Sequence, residues 1–385
     1  MKFLHTSDWH LGRQFHNVSL LDDQRAVIEQ IIEYIENNPV DALVVAGDIY
    51  DRSVPPTAAI TLLNETVTKI CGELNTPMIL ISGNHDGAER LGFGAEQMKP
   101  SGLHIISRFE DMLSPIILKD SDGLEVAFYG IPYNDPELVR HFYKVPATTH
   151  DDAHKHLTAL VRDHHSEKGS SERKSVVVSH CFIDGAIDSE SERPLSIGGS
   201  DRVSHEHFKD FDYVALGHLH QPQKKGEDYI RYSGSLMKYS FSEQHQKKGM
   251  TLVEIDQQGF QSATHIPLEA PHQMRIVEGE LEDIIAQGAT DPRNHDYLLV
   301  RLMDKHAILD PMEKLRKAYP NVLHLEKPGM LIGEDQEMGK ARLARGEIDM
   351  FKDFFLEAKQ EPLSEAQSVA IESIINELTL QQRNQ

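Results

Sequence analysis

Five short polar motifs, each placed directly after an apolar run of strand character, constrain the fold of this 385-residue chain more than any other feature. In open α/β sheets, sites collect beyond the carboxyl ends of the strands, because parallel strands end at the same edge. The sequence therefore predicts an α/β layered fold in which five loops meet at one place. The motifs are Asp8-Trp9-His10, Gly47-Asp48-Ile49-Tyr50-Asp51-Arg52, Gly83-Asn84-His85-Asp86, Ser179-His180 and Gly217-His218-Leu219-His220.

The apolar pattern supplies the strands and helices of this fold. Residues 41–49 form an almost continuous apolar run, which is typical of a strand buried on both faces. Residues 20–37 carry helical spacing, and a second helix is predicted from Pro55 to about Glu73. The later run of strands indicates a second sheet packed on the first. The predicted strands cover residues 2–6, 41–49, 77–82, 104–107, 115–119, 125–131, 175–179, 213–216, 230–232 and 250–255.

The chain is long enough for more than one domain. Its pattern breaks near residues 267–271 and restarts as a small α+β module of strand, helix, strand, helix and strand. Residues 329–346 resemble a linker, and two further helices are predicted over 348–356 and 364–380. We therefore predict a first domain over residues 1–270, a second over 271–335, and a linker with C-terminal helices over 336–385.

Composition restricts the class of function. The net charge of −22 argues against a chain that holds nucleic acid by bulk electrostatics, but it leaves a nuclease open, because metal ions and a partner subunit can supply positive charge. No stretch has the apolar length of a membrane span, the N-terminus has no apolar signal core, and Cys71 and Cys181 fit a reducing compartment. These features favour a cytoplasmic protein. Two polar stretches, 166–174 and the acidic 184–193, are interpreted as solvated surface.

The polar motifs contain side chains that bind divalent metal ions. Asp8 and His10 lie two residues apart, so on an extended backbone they point the same way and can share one ion. The Asp48 carboxylate has two oxygens with which to bridge two ions, and Asn84 offers a neutral carbonyl oxygen. The histidines of the last two motifs offer imidazole nitrogens. The seven predicted ligands are Asp8, His10, Asp48, Asn84, His180, His218 and His220.

The types of these ligands indicate the metal and the reaction. Mixed nitrogen and oxygen ligands suit manganese, iron or zinc better than magnesium or calcium, which prefer oxygen alone. Two such ions, about 3.5–4 Å apart, would activate a water and hold the attacking and leaving oxygens of a phosphoryl displacement. We assign to His85 the contact with the phosphate and the protonation of the leaving oxygen, because imidazole can donate a proton near neutral pH. Asp86 and Asp51 are the candidates for orienting that ring.

Residues 1–265 resemble the calcineurin-like metallophosphoesterase superfamily, because all five motifs match its pattern in order. The resemblance implies a β-sandwich flanked by helices and a dinuclear metal centre. It also implies how the ligands divide between the ions. The first ion would be bound by Asp8, His10, Asp48 and His220, and the second by the shared Asp48 with Asn84, His180 and His218.

Within this superfamily, the chain is most similar to the family of SbcD nuclease subunits, the bacterial counterparts of the Mre-eleven DNA-repair nucleases. The start Phe3-Leu4-His5-Thr6-Ser7-Asp8-Trp9-His10-Leu11-Gly12 is typical of the nuclease branch. Asp51-Arg52-Ser53-Val54-Pro55-Pro56 stands where protein phosphatases carry Asp-Arg-Gly. Tyr232-Ser233-Gly234-Ser235 and Ser240-Phe241-Ser242-Glu243 follow the last metal motif, as in the nucleases. One departure concerns Asp51, since archaeal and eukaryotic relatives often have histidine there.

The resemblance implies a 3′–5′ double-strand exonuclease and a single-strand and hairpin endonuclease, acting on DNA in repair, recombination and replication. It favours two manganese ions, with magnesium as the alternative. It further implies a homodimer within a heterotetramer, formed with an SMC-like ATPase subunit of the SbcC type. Residues 271–335 would cap the nuclease domain, and the helices within 336–385 would bind the ATPase.

Two other functions share parts of this pattern. A small-molecule phosphoesterase, such as a cyclic-nucleotide phosphodiesterase, would use the same metal site but would need neither the capping module nor the terminal helices. A non-catalytic scaffold would use the metals only to hold the fold. The complete ligand set together with His85 argues against a scaffold.

Overall fold

The computed structural model describes residues 1–168, 173–193, 195, 201–328, 355, 363–364, 367–368 and 371. Its longer strands are β1 (Lys2–Thr6), β2 (Ala42–Val45), β3 (Met78–Ile81), β4 (Leu103–Ile106), β5 (Ile116–Lys119), β6 (Glu125–Ile131), β7 (Lys174–His180), β8 (Tyr213–Gly217), β9 (Gln223–Lys225), β10 (Glu227–Tyr232), β11 (Gly249–Asp256), β12 (Gly259–Pro267), β13 (Met274–Gly279), β14 (Tyr297–Leu302) and β15 (Val322–Glu326). Two short pairs add to these, Gln14–Phe15 with Val18–Ser19 and Phe182–Ile183 with Arg202–Val203.

The α-helices are α1 (Leu21–Asn37), α2 (Thr57–Val67), α3 (Ala88–Leu91), α4 (Ala95–Met98), α5 (Pro136–Tyr143), α6 (His150–Lys168), α7 (Leu281–Gly288) and α8 (Pro311–Ala318). Helix α2 continues as a π-helical segment, Thr68–Glu73, and 3₁₀ turns occur at Lys99–Ser101, Phe109–Asp111, His205–Phe208 and Phe241–Glu243. None of the helices among the described residues is apolar over the length needed to span a membrane.

Two six-stranded sheets form the framework of the larger part of the chain. Their strand orders are β12-β11-β1-β2-β3-β4 and β9-β10-β8-β7-β6-β5. Four neighbouring strands are parallel in each sheet, β1 to β4 in the first and β6, β7, β8 and β10 in the second. The antiparallel strands lie towards the edges. The α/β fold class with a second sheet, predicted from the sequence, is therefore confirmed.

The register of the parallel strands determines where the polar motifs lie. Thr6 pairs with Val45 at the ends of β1 and β2, and His180 pairs with Gly217 at the ends of β7 and β8. Because parallel strands that end in register release their chains at one edge, the loops that follow them are neighbours. The sheets thereby bring together motifs that are far apart in the sequence.

The two sheets share one apolar layer. The ring of Phe3 in β1 meets the rings of Phe128 in β6 and Tyr213 in β8 edge-on, with centroid distances of 5.3 and 5.6 Å. A second layer lies between the other face of the second sheet and helices α5 and α6. Buried residues of the first layer include Phe3, Val44, Ile79, Phe128, Val176, Val178 and Tyr213, and those of the second include Tyr129, Val139, Leu157, Val161, Val177 and Val214.

Some elements differ from the sequence prediction. Helices α5 and α6 and strand β12 were not predicted, and α6 extends into the stretch 166–174 that was interpreted as a loop. Helix α6 is rich in histidine and charge, so its apolar stripe is narrow, although Ala153, Leu157 and Val161 are fully buried. The strand predicted over 41–49 ends at Val45, because the chain leaves the sheet there to enter the polar loop.

The chain divides into two compact units. The first comprises Met1–Ile276 with His295–Leu298, and the second comprises Val277–Asn294 and the described residues from Leu299 onward. Beyond residue 270 the order is β13, α7, β14, α8, β15, which is the alternation expected from the sequence. The domain boundaries at 270 and 335 remain predictions, and the helices predicted over 348–356 and 364–380 lie outside the described residues except for single positions.

The layer between the sheets predicts a large effect of shortening Phe3. Phe3→Ala leaves a cavity at a fully buried position, so we expect the free energy of unfolding to fall by about 3–5 kcal/mol. Phe93→Ala is the matched control, because that ring is 85% exposed and its loss should change stability by less than about 0.5 kcal/mol. Denaturant unfolding followed by circular dichroism measures both, and equal losses in the two variants would contradict the assigned packing.

Candidate metal centre

The loops that follow β1 and β2 are joined by backbone hydrogen bonds. The Asp8 N–H donates to the Gly47 carbonyl oxygen at 3.0 Å, and the His10 N–H donates to the Asp48 carbonyl oxygen at 2.9 Å. The N–H of the next residue, Leu11, donates to the Ile49 carbonyl oxygen at 2.9 Å. The pairing of the two strands thus continues beyond the sheet, and it fixes the first two motifs against each other.

Several predicted ligands lie on left-handed backbone. The φ angles of Asp8, His10, Asp48 and His218 are 53°, 45°, 52° and 101°. Asp8 and His10 therefore do not share a direction by lying on extended backbone, as the sequence argument assumed; each is turned individually after the end of β1. Left-handed backbone at a residue with a Cβ atom costs free energy, and such residues concentrate at functional sites where surrounding structure holds them in place.

The Asp48 carboxylate lies at the middle of the cluster. Its Oδ2 atom is 3.6 Å from His10 Nε2 and 3.6 Å from His180 Nε2. His85 Nε2 lies on a further side, at 3.9 Å. This carboxylate oxygen therefore lies close to rings from three separate loops.

The remaining predicted ligands lie on either side of Asp48. His10 Nε2 and His220 Nε2 are 3.1 Å apart. On the other side, the Asn84 Oδ1 atom is 2.9 Å from His180 Nε2 and 3.2 Å from His218 Nδ1. The five motifs therefore converge, and their nitrogen and oxygen atoms form one cluster.

This arrangement fits divalent cations. Ligand atoms of Asp8, His10 and His220 lie within 4.8 Å of one another, and so do those of Asp8, Asp48 and His180. All of these side chains are buried, and His10 Nδ1 has no hydrogen-bond partner among the described residues. Buried rings with unused nitrogen atoms and clustered carboxylates are stabilised by a bound cation. These groups together indicate a site for divalent metal ions.

Burial sets the protonation of the ligands. It lowers the pKa of His10 and His218 well below the ordinary value, and it also lowers the pKa of His180. Their rings are therefore neutral at pH 7, as metal binding requires. Burial raises the pKa of Asp48 well above its ordinary value, and the nearby charges of Asp86 and Asp8 raise it further. A positive ion beside Asp48 would restore its ionised form.

Contacts behind the ligands fix the directions of the rings. His180 Nδ1 donates to the Ala46 carbonyl oxygen at 2.9 Å, which leaves Nε2 free to face the cluster. The Gln24 amide donates to the carbonyl oxygens of His10 at 2.7 Å and Trp9 at 3.1 Å. Sequence reasoning missed Gln24, because it lies within a helical pattern and carries no motif of its own.

The acidic stretch 184–193 is not simply the solvated surface that the sequence suggested. Ser191 is buried, and its hydroxyl lies 2.6 Å from His220 Nδ1. The Glu192 carboxylate accepts the His220 backbone N–H at 2.7 Å. This stretch is therefore part of the site, and its polar composition concealed that role.

A buried ion pair lies behind the same histidine. Glu243 is fully buried, its Oε1 atom is 3.4 Å from His220 Nδ1, and Oε2 is 2.6 Å from Lys248 Nζ. Burial alone would raise the pKa of Glu243, but Lys248 and His220 hold it well below the ordinary value. The motif at residues 240–243 was the signal in the sequence, although it pointed to no particular role for Glu243.

His85 lies beside the cluster with its ring held by backbone. Nδ1 donates to the carbonyl oxygen of Asp51 at 2.9 Å, so Nε2 faces the site. Burial lowers the pKa of His85 to about 3, and the free ring therefore has an unprotonated Nε2 at neutral pH. Asp86 has a different task from orienting this ring: its carboxylate accepts the backbone N–H groups of Ile49, Tyr50 and Gly83 at 2.9–3.0 Å and joins two loops.

The Asp51 side chain lies near His10 as well as His85. Its Oδ1 atom lies 3.7 Å from His10 Nδ1 and 3.3 Å from Arg13 Nη1. Atoms of His10, Asp51 and His85 also lie within 4.8 Å of one another. Asp51 therefore contacts His85 through its backbone and approaches His10 through its carboxylate.

Comparisons with known proteins agree with this geometry. A family model described as calcineurin-like phosphoesterase matches residues 1–222, and one described as type 5 capsule protein repressor C-terminal domain matches residues 270–359. A protein of Staphylococcus epidermidis, named as the SbcD subunit of the SbcCD nuclease, is 32% identical over 377 residues, which is 98% of each chain. The chain belongs to the SbcD family of calcineurin-like phosphoesterases.

Further relatives extend this finding. A protein of the same name from Staphylococcus saprophyticus is 37% identical over 326 residues, or 84% of each chain. The family resemblance recognised in the motifs is therefore confirmed. Among solved structures, a dimetal phosphatase from Danio rerio is 8% identical with a TM-score of 0.38, over 70% of this chain and 99% of that chain.

The close approach of two loops at Gly83 provides a test of the Asp48 position. A Cβ atom on Gly83 would lie 2.1 Å from Asp48 Oδ1, so Gly83→Ala must displace that carboxylate. We expect affinity for Mn²⁺ to fall about 10–100-fold, as when the support of a metal ligand is removed. Isothermal titration calorimetry measures the loss. Gly72→Ala is the matched control, because its Cβ atom would meet nothing within 4 Å, and a similar loss there would contradict the explanation.

Proposed function

We propose that this chain is a metal-dependent DNA nuclease that works within an SbcCD-type complex. The observation that carries the proposal is the convergence of five loops into overlapping groups of metal-binding atoms, in a chain that a relative named as an SbcCD nuclease subunit matches over almost its whole length. The reactions we assign are 3′–5′ exonuclease activity on double strands and endonuclease activity on single strands and hairpins, in DNA repair and recombination.

We assign the buried ligands to two divalent ions. The mixed nitrogen and oxygen donors suit manganese, iron or zinc better than magnesium, and the family resemblance favours manganese, with magnesium as the alternative. When bound, the ions would supply an activated water and positive charge for the phosphoryl group. Asp8, His10, Asp48 and His220 would hold the first ion, and Asp48, Asn84, His180 and His218 would hold the second.

We assign to His85 the contact with the phosphate and the protonation of the leaving oxygen. Its Nδ1–H is committed to the Asp51 carbonyl oxygen, so only Nε2 is available to the substrate. Because burial keeps the free ring neutral, Nε2 must take a proton from solvent water, and the negative charge of an approaching phosphodiester favours that uptake. The same ring then gives that proton to the leaving oxygen.

The rest of the chain supports an assembly. We propose a cytoplasmic nuclease domain over residues 1–270, a capping domain over 271–335, and a C-terminal segment over 336–385 that binds an SMC-like ATPase of the SbcC type. Two copies of the chain would form a homodimer within a heterotetramer. The net charge of −22 is consistent with a partner that supplies much of the DNA-binding surface.

A small-molecule phosphoesterase, such as a cyclic-nucleotide phosphodiesterase, is the weaker alternative. Its chemistry would need the metal centre alone. The match of residues 270–359 to a separate family model, and the extent of the likeness to the nuclease relatives, favour the DNA nuclease.

Cleavage assays test the proposed substrate and metal. We expect the purified chain to cut linear duplex and hairpin DNA with Mn²⁺, less with Mg²⁺, and not at all after chelation, because the buried ligands require a cation. Addition of the ATPase subunit with ATP should increase cutting of DNA ends. Hydrolysis of cyclic nucleotides far above DNA cleavage would instead favour the alternative.

The role of His85 is tested by His85→Gln, which keeps a polar side chain of similar length. We expect both Mn²⁺ ions to bind as before and DNA cleavage to fall about 10²–10⁴-fold, the range for loss of a general acid. Single-turnover cleavage measures the rate, and calorimetry measures the bound ions. Gln14→Ala, at an exposed strand position outside the cluster, is the matched control and should cleave DNA as the parent chain does. Unchanged cleavage in His85→Gln would remove the residue from the mechanism.

A further inference from the structure

The ring of His220 is held between two kinds of neighbour. Its Nε2 atom faces His10 Nε2 at 3.1 Å, in the metal centre. Its Nδ1 atom points the other way, to the Ser191 hydroxyl at 2.6 Å. The same hydroxyl forms a short hydrogen bond to Glu243 Oε1, and this links the histidine to a carboxylate that is fully buried.

Glu243 is itself fixed from behind. Its Oε2 atom pairs with Lys248 Nζ at 2.6 Å and accepts the Tyr239 backbone N–H at 3.2 Å. Lys248 Nζ also donates to the His220 carbonyl oxygen at 2.8 Å and to Ser235 Oγ at 2.8 Å. The ion pair therefore holds the backbone and the ring of His220 together.

The charges of Lys248 and Glu243 determine which atom donates in each hydrogen bond between Glu243, Ser191 and His220. Glu243 Oε2 is paired with Lys248 Nζ at 2.6 Å, and a carboxylate in such an ion pair can only accept hydrogen bonds. The Ser191 hydroxyl must then donate its proton to Glu243, so its oxygen accepts from His220 Nδ1–H. A neutral imidazole with its proton on Nδ1 has a lone pair on Nε2, the atom that faces the metal centre.

We propose that Ser191 and Glu243 are positioning residues that hold the His220 proton on Nδ1 and thereby prepare Nε2 to bind the first ion. The inference rests on the proposed metal centre and assigns to it two residues outside the seven ligands. A purely structural ion pair is a weaker explanation, because burying an ion pair contributes little net stability. Partners behind a metal-binding histidine, by contrast, have a known effect on its orientation and basicity.

Ion binding by two variants tests this inference. Ser191→Ala removes the hydroxyl that links His220 to Glu243 and leaves the Glu243–Lys248 ion pair intact. Glu243→Gln removes the negative charge that makes Ser191 donate its proton to Glu243. Ser242→Ala is the matched control, because this exposed neighbour contacts Glu190 and Ser240 rather than His220. The readouts are Mn²⁺ titration calorimetry, electron paramagnetic resonance of the Mn²⁺-loaded protein, and the melting temperature.

We expect Ser191→Ala and Glu243→Gln to bind one Mn²⁺ as the parent chain does and the other about 10–100-fold more weakly. At matched Mn²⁺, the spectrum of a spin-coupled pair should give way to that of isolated ions, while Ser242→Ala keeps the coupled spectrum. Parent-like binding of two ions by Ser191→Ala would overturn the inference. So would equal weakening of both ions together with a lower melting temperature, since that outcome indicates general destabilisation. Failure of the parent chain to bind two Mn²⁺ ions would instead overturn the proposed metal centre itself.

Discussion

The burial of the Asp48 carboxylate next to Asp8 is the constraint on which the site depends. Both side chains are almost completely removed from water, and their negative charges oppose each other. Such a pair is costly unless positive charge or hydrogen bonds compensate it. The backbone N–H groups of His85 and His218 supply part of that compensation, at 2.8 Å to Asp48 and 3.0 Å to Asp8. A pair of bound cations would compensate the remaining negative charge of the two carboxylates.

Much of this site could be predicted from the sequence. The predicted ligands lie in short motifs after apolar runs, and the rule that sites collect at the carboxyl ends of parallel strands was sufficient to predict that they lie together. The local geometry could not be predicted in this way. The strand over 41–49 stops at Val45, and Asp8 and His10 lie on left-handed backbone, because the hydrogen bonds between two loops determine the backbone conformation there.

The residues that contact the predicted ligands from behind could not be predicted from the sequence for a different reason. Gln24, Ser191 and Glu243 contact predicted ligands that belong to other segments of the chain, and no spacing rule in the sequence predicts such tertiary contacts. The acidic stretch 184–193 was predicted to be solvated surface because its composition is that of a solvated loop. Burial of a polar residue such as Ser191 follows from its partners, and these become known only with the fold.

The position of β1 has a consequence for how the protein is made. This strand lies between β2 and β11, so the residues at 249–256 that complete its second edge are synthesised long after it. At the usual rates of protein synthesis the interval is on the order of 10–50 s. During that time β1 can pair with β2, but its other edge stays open to other chains. The nascent chain therefore passes through a stage at which one edge of this sheet is still unpaired.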